Sequence, residues 1–185
     1  MKIKGKELEK LERTFSLREA NEADRTAEIA FSSEEPYERW FGVEILDHDS
    51  KSVDMSRITN SAPLLLDHDR TNQIGVITSA RIDEDKVGRA TVKFSRSEKG
   101  EEIFRDVLDG IRTKISVGYQ VKDMKLVSES DGLDTYRVTD WMPFEVSLVS
   151  IPADDSVGVG RSDEDEVDAE LLKRVAALEK QFIGE

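Results

Sequence analysis

The sequence predicts an α+β fold in which a mainly antiparallel β-barrel is flanked by helices. Three observations carry this prediction. Between residues 26 and 150, segments of strand length alternate apolar with polar residues. Polar loops that contain glycine separate several of these segments, as at residues 83–88 and 128–132. One amphipathic helix interrupts the strands, and few other segments have helical periodicity.

We expect six or seven strands between residues 26 and 150, because each segment of strand length there places apolar side chains on one face of an extended chain. The last two strands are the longest, and the polar loop between them is typical of a hairpin. A helical turn is expected at residues 54–58. The predicted strands span residues 26–31, 41–46, 64–66, 75–82, 89–95, 114–126 and 135–150.

The clearest helix is predicted over residues 97–111. Ser97 is a favourable N-cap, and the acidic pair Glu101 and Glu102 lies early in the helix, where the helix dipole stabilises negative charge. Ile103 and Val107 begin an apolar stripe along one face of this helix.

Both ends of the chain differ in composition from the middle. Residues 1–25 are predicted to form a charged N-terminal arm, either a short helix or a disordered segment. Residues 26–160 are predicted to form the folded domain. Residues 161–185 are predicted to form an acidic amphipathic helix, a linker or scaffold-like segment that either docks on its own domain or binds a partner.

Composition excludes several classes of function. The 185 residues include no cysteine, which excludes disulfides, thiolate zinc sites and a cysteine nucleophile. The formal net charge of −13 disfavours binding to nucleic acid through phosphates. The sequence has neither the apolar core of a signal peptide nor an apolar run of transmembrane length, so we expect no membrane association and a location in the cytosol or within a particle assembled there.

The two histidines, His48 and His68, are each flanked by aspartates. Imidazole and carboxylate together suit zinc or manganese. However, neighbouring residues of a strand point to opposite faces, and no third histidine is present. His68 follows the apolar residues 64–66, and a histidine at the end of a buried strand is also a candidate general base. Position alone leaves a surface histidine in a turn as an alternative.

Ser116 and Glu145 are the other candidates for chemistry. Ser116 shares a strand face with Gly118, so a substrate backbone has room to approach it. Glu145 lies within an apolar strand, where a carboxylate needs a partner such as a histidine or an arginine. Ser116 also fits an ordinary strand serine, and an arginine such as Arg57 is an alternative partner for Glu145.

Three short segments, in this order along the chain, resemble the tailed-phage prohead protease family. They are residues 63–69 (PLLLDHD), residues 115–119 (ISVGY) and residues 144–153 (FEVSLVSIPA). The resemblance covers roughly residues 26–160. The family is similar in fold to the herpesvirus capsid-maturation protease, which implies a closed antiparallel barrel surrounded by helices.

The resemblance implies a serine protease that needs neither a cofactor nor a metal. Ser116 would be the nucleophile, His68 the general base and Glu145 the third, acidic member. The herpesvirus enzymes use a second histidine in that third role. The backbone amides of the loop near Ala153 and Asp154 would stabilise the oxyanion.

The resemblance also implies the setting. The substrates would be the scaffolding protein or the scaffold-like arm of a major capsid protein, and the protease itself, inside the assembling prohead in the host cytoplasm. Three further points stay open: a prophage as the source of the gene, a place of this chain as one segment of a protease–capsid fusion, and association into a homo-oligomer. Two rival functions remain open at this point: a metal-dependent hydrolase built on the two Asp-His-Asp segments, and a non-enzymatic capsid-assembly component.

Overall fold

The computed structural model describes residues 11–129 and 134–150, with side chains from residue 20 onward. Within these ranges the chain forms nine strands and one helix. In chain order the elements are β1 (Leu11–Asn21), β2 (Thr26–Ser33), β3 (Tyr37–Arg39), β4 (Gly42–Leu46), β5 (Pro63–Leu66), β6 (Asp69–Ile82), β7 (Val87–Phe94), α1 (Glu98–Leu108), β8 (Lys114–Ser128) and β9 (Thr135–Leu148).

The described strands form one sheet in the order β3-β4-β9-β5-β6-β7-β2-β1-β8, and a further ladder joins β8 to β9. The sheet therefore curls on itself. It is also mixed, because β9 runs parallel to both β4 and β5, whereas the other ladders are antiparallel. The predicted mainly antiparallel barrel with flanking helices is therefore confirmed in part: most ladders are antiparallel, but the sheet is mixed, and the described residues contain one helix rather than several. The parallel ladders arise because β9 returns to strands much earlier in the chain through long crossovers rather than hairpins.

The N-terminal prediction was wrong for the part of the segment that the structure describes. Leu11–Asn21 is a strand, neither a helix nor a disordered arm. It pairs with β2 on one side and with β8 on the other, including Thr14 opposite Ser116. These ladders satisfy the backbone along the strand, and this outweighs the weak helical spacing of its apolar residues.

The prediction of α1 is confirmed. The Ser97 side chain accepts a hydrogen bond from the backbone N–H of Gly100 at 3.1 Å, which caps the helix. Ile103, Phe104 and Val107 are buried. The Phe94 and Phe104 ring centroids lie 4.9 Å apart, so α1 is held against the end of β7. Burial of each large apolar side chain contributes about 1.5–3 kcal/mol.

The hydrophobic core is one cluster of buried side chains that come from most of the strands and from α1. Trp141 and Tyr119 are the largest fully buried side chains, and Leu64 and Val146 lie with them in the same cluster. These four residues come from β5, β8 and β9, so the core anchors the strand that leads to His68 and the two strands that carry Ser116 and Glu145. In the described part of the chain, no helix is long and apolar enough to span a membrane.

Candidate active site

His68 occupies the two-residue turn between β5 and β6. Leu66 pairs with Asp69, and the two loop residues, Asp67 and His68, have φ angles of 49° and 57°. Positive φ at both loop positions is the signature of a type I′ hairpin turn, which favours Asn or Gly. A histidine in this conformation is strained, and strain of this kind concentrates at functional sites.

The end of β9 fixes this turn in place. The backbone N–H of Asp67 donates to the carbonyl oxygen of Leu148 at 2.8 Å, and the N–H of Ser150 donates to the Asp67 carboxylate at 2.8 Å. The N–H of His68 donates to the Ser147 hydroxyl oxygen at 3.2 Å. The histidine backbone is therefore set by strand pairing rather than by a free loop.

Strands β8 and β9 supply the other two predicted residues. In their antiparallel ladder, Ser116 is opposite Ser147 and Gly118 is opposite Glu145. On the other edge of β9, Leu65 of β5 is paired in parallel with Ser147. Strand β9 thus lies between the strand that leads to His68 and the strand that carries Ser116.

The structure brings His68, Ser116 and Glu145 together in one hydrogen-bonded chain. His68 Nε2 lies 2.8 Å from Ser116 Oγ, and His68 Nδ1 lies 2.7 Å from Glu145 Oε1. The His68 side chain is 20% exposed, whereas Ser116 is 1% and Glu145 7% exposed. The partner of Glu145 is therefore His68 and not an arginine such as Arg57.

The partners of the His68 ring define its proton positions. A carboxylate only accepts hydrogen bonds, so Nδ1 carries the hydrogen shared with Glu145. In the neutral ring Nε2 is then the acceptor, and the Ser116 hydroxyl donates to it. This is the arrangement in which an imidazole can remove the serine proton.

Ser147 is a site residue that the sequence analysis missed. Its hydroxyl donates to Glu145 Oε2 at 2.9 Å and accepts the hydrogen bond from the His68 N–H. Each Glu145 oxygen therefore has a partner within the site, although the residue is buried. The available signal was the position of Ser147 two residues after Glu145, on the same strand face.

Strand β9 contains a β-bulge next to the candidate site. The ladder pairs Gly118 with Glu145 but Tyr119 with Pro143, which leaves Phe144 as the extra residue. Both Phe144 and Glu145 lie over Gly118, where a Cβ atom would be 2.9 Å from Phe144 Cε2 and 2.2 Å from Glu145 Oε1. Gly118 is needed to make room for the Glu145 carboxylate.

A cleft of about 910 Å³ opens beside this group. Its walls come from the segment before β5, the start of β6 and the bulged part of β9. They combine apolar side chains with two arginines. The lining residues are Ser56, Arg57, Asn60, Ser61, Ala62, Pro63, Leu65, His68, Arg70, Gln73, Gly118, Met142, Phe144 and Glu145.

His48 lies apart from this site. It is buried, with an exposed fraction of 2%. Its Nδ1 lies 2.9 Å from the carbonyl oxygen of Leu46, and its Nε2 lies 2.8 Å from Ser32 Oγ. This second serine–histidine pair has a backbone carbonyl where His68 has a carboxylate, and it does not line the cleft. It ties β2 to the end of β4.

The aspartates that flank His68 are engaged in the turn. Hydrogen bonds from the Thr71 side chain and backbone and from Asn72 hold the pKa of Asp69 below its usual value. Asp67 is occupied by the Ser150 N–H. Among the side chains that the structure describes, no three His, Asp or Glu residues are grouped as metal ligands would be.

Two predicted residues cannot be placed. Ala153 and Asp154, expected to provide oxyanion donors, lie outside the described residues, as does the predicted acidic helix over residues 161–185. The described residues end at Ser150, two residues after β9, and the Ser150 N–H contacts the turn that carries His68.

A serine hydroxyl, an imidazole and a buried carboxylate in this order of hydrogen bonds form the type of site that serine hydrolases use. The family model described as caudovirus prohead serine protease matches residues 46–169. The chain therefore belongs to this family.

A relative supports this assignment. The chain is 45% identical over 156 residues to a protein named major capsid protein from Halomonas phage phiHAP-1. The aligned part is 83% of this chain but 26% of the relative, so the chain spans about a quarter of that protein. No solved structure matches the chain significantly, and the likeness to the herpesvirus protease fold remains an expectation.

Proposed function

We propose that this chain is a serine endopeptidase that cleaves scaffold or capsid-protein arms, and itself, during phage prohead maturation. The observation that carries the proposal is the hydrogen-bonded chain from Ser116 through His68 to Glu145, with both distances below 3 Å. Membership of the prohead serine protease family supports the same conclusion.

In the proposed mechanism, Ser116 Oγ attacks the peptide carbonyl while His68 Nε2 takes its proton. His68 then gives this proton to the leaving amine, and water completes hydrolysis of the acyl-enzyme by the same route. Glu145 holds the ring in the required tautomer and stabilises the transient imidazolium. The amides of Ala153 and Asp154 remain our proposal for the oxyanion donors.

Access to the nucleophile needs a local movement. Ser116 is 1% exposed and is not among the residues that line the cleft, whereas His68, Gly118 and Glu145 are. A substrate that enters the cleft therefore has to displace part of its wall before a carbonyl reaches Ser116 Oγ. We propose that this movement of the cleft wall occurs when the substrate binds.

The proposed substrates follow from the family and from the relative. A protease within a prohead meets scaffold and capsid protein at high local concentration, inside the host cell. Similarity to one quarter of a protein named major capsid protein suggests that this segment is joined to capsid protein in some products. The capsid arm would then be cleaved within the same chain or between neighbouring copies.

The central experiment compares Ser116→Ala with Ser79→Ala. Ser79 is an exposed serine of β6 outside the cleft, so it controls for loss of a hydroxyl. Each protein is mixed with the phage capsid protein or scaffold, and fragments are identified by mass spectrometry. We expect processing by wild type and Ser79→Ala and none by Ser116→Ala. Equal processing by folded Ser116→Ala would overturn the mechanism.

The same samples test self-cleavage and the rival functions. We expect wild type to lose residues before about 26 or after about 160 on standing, while Ser116→Ala stays at full length. Activity that is abolished by a chelator but survives in Ser116→Ala would favour a metal-dependent hydrolase. A folded wild-type protein that cleaves nothing would favour a non-enzymatic role in capsid assembly.

A further inference from the structure

The cleft beside Ser116 contains two exposed arginines, Arg57 and Arg70. Neither forms an ion pair with any residue in the described ranges. The one carboxylate among the lining residues is Glu145, whose two oxygens are engaged by His68 and Ser147. The cleft therefore presents two positive charges that the described protein does not neutralise.

This is unusual within the described part of the chain, where most arginines have an acidic partner. The chain has 40 acidic and 27 basic residues, so carboxylates are abundant. Arg96 also lacks an ion pair with described residues, but it lines a separate pocket. The paired arginines are Arg25, Arg39, Arg81, Arg89, Arg105, Arg112 and Arg137.

The arginines lie close to the reacting group. The Arg57 guanidinium carbon is 6.0 Å from the centroid of the Phe144 ring, and this ring packs over Gly118, two residues from Ser116. Arg70 follows His68 by two residues, at the start of β6. Both arginines thus line the same cleft as His68 and Glu145.

We propose that this cleft selects peptide segments that carry an aspartate or glutamate close to the scissile bond, with Arg57 and Arg70 binding the acidic side chain. This inference rests on the proposed function and adds to it a class of substrate. Guanidinium groups bind carboxylates through paired hydrogen bonds, and the net negative charge of the rest of the chain disfavours acidic peptides elsewhere. The chain's own residues 163–166, Asp-Glu-Asp-Glu, provide one such segment.

The test uses the full chain and a synthetic mixture of octapeptides in which each position is varied among Glu, Gln, Lys and apolar residues. Cleavage products of wild type are sequenced by mass spectrometry. We expect Glu to be favoured over Gln at one position by roughly fivefold, the upper range for exposed ion pairs, with a smaller preference at high salt. Arg57→Gln with Arg70→Gln should remove this preference. Arg96→Gln, the matched control, should keep it.

Charge reversal provides a readout that a purely structural role would not give. Arg57→Glu with Arg70→Glu should shift the preference from Glu to Lys at the same position. Cleavage by wild type without a preference for acid, or a preference that survives both pairs of substitutions, would overturn the proposal.

A binding measurement separates this inference from the proposed function. If wild type shows no cleavage that depends on Ser116, the catalytic proposal fails. The same mixture is then passed over immobilised Ser116→Ala protein. Retention of Glu peptides over Gln peptides that disappears with Arg57→Gln and Arg70→Gln still supports the acidic-side-chain site. Equal retention of Glu and Gln peptides refutes it.

Discussion

Gly118→Ala tests whether the position of the Glu145 carboxylate controls catalysis. A Cβ atom at residue 118 would lie 2.2 Å from Glu145 Oε1, whereas real Cβ contacts essentially never fall below 3.0 Å. The carboxylate oxygen must therefore move by about 0.8 Å, the difference between these two distances. Oε1 is the atom that accepts the hydrogen bond from His68 Nδ1, so the movement disturbs the orientation of the imidazole.

The expected loss of activity is large. Misplacement of a catalytic group by about 1 Å costs on the order of 10²-fold in rate. This corresponds to about 2.7 kcal/mol of transition-state stabilisation. We expect kcat/KM of Gly118→Ala to fall by about that factor, measured with a fluorogenic version of the best octapeptide from the mixture described above. Thermal unfolding, followed by circular dichroism, checks that the variant remains folded.

A second substitution gives the control. Glu145→Asp shortens the acidic side chain by one methylene and leaves room for the added methyl group. If the steric reasoning holds, Gly118→Ala combined with Glu145→Asp should be more active than Gly118→Ala alone, a coupling that a double-mutant cycle measures. Wild-type kcat/KM in folded Gly118→Ala would refute the reasoning, because the carboxylate position would then be irrelevant.

Three further predictions follow from the site and the core. Ser147→Ala leaves a buried Glu145 oxygen without its donor, so we expect stability to fall by about 1–3 kcal/mol in urea titrations and kcat to fall as well. Ile103→Ala opens a cavity under α1 and should cost about 2–5 kcal/mol without changing KM, measured by calorimetry and initial rates. Asp54 tests pH dependence. Hydrogen bonds from Lys122, above all, and from Ser56 lower its pKa from 3.8 to about 2. Its stabilising contribution is therefore complete above the unfolded value and is lost as pH falls from 3.8 towards 2. Urea titrations across this range should show a shallower acid decline for Asp54→Asn, and an unchanged slope would contradict the assignment.

The local pattern of apolar and polar residues was enough to predict the elements that pack against neighbours in the sequence. The cap at Ser97 and the apolar stripe through Ile103 predicted α1, and alternation predicted the cores of most strands. The sequence could not predict the parallel ladders of β9, because these depend on which distant strand lies beside it. Strand β1 was missed for the same reason, since its polar sequence is extended only through pairing with β2 and β8.

The candidate site was likewise predicted in its residues but not in its backbone geometry. Residue type and order, together with the family resemblance, selected His68, Ser116 and Glu145. The type I′ turn at Asp67 and His68 was not predicted, because this pair differs from the Asn-Gly sequences that usually mark such turns. The bulge at Phe144 was also missed, since a bulge is defined by the register with a neighbouring strand and leaves no mark on a single strand's alternation.

The sequence separations within the site link activity to the completeness of folding. Ser116 is 48 residues after His68, and Glu145 is 77 residues after it, so the site needs three non-local strands at once. Pairing across such distances forms slowly, because the chain must close long loops first. A nascent chain that lacks β9 has neither the carboxylate nor the hydroxyl that anchors His68. The hydrogen-bonded group of Ser116, His68 and Glu145 is therefore complete only after synthesis has passed residue 148 and the sheet has formed.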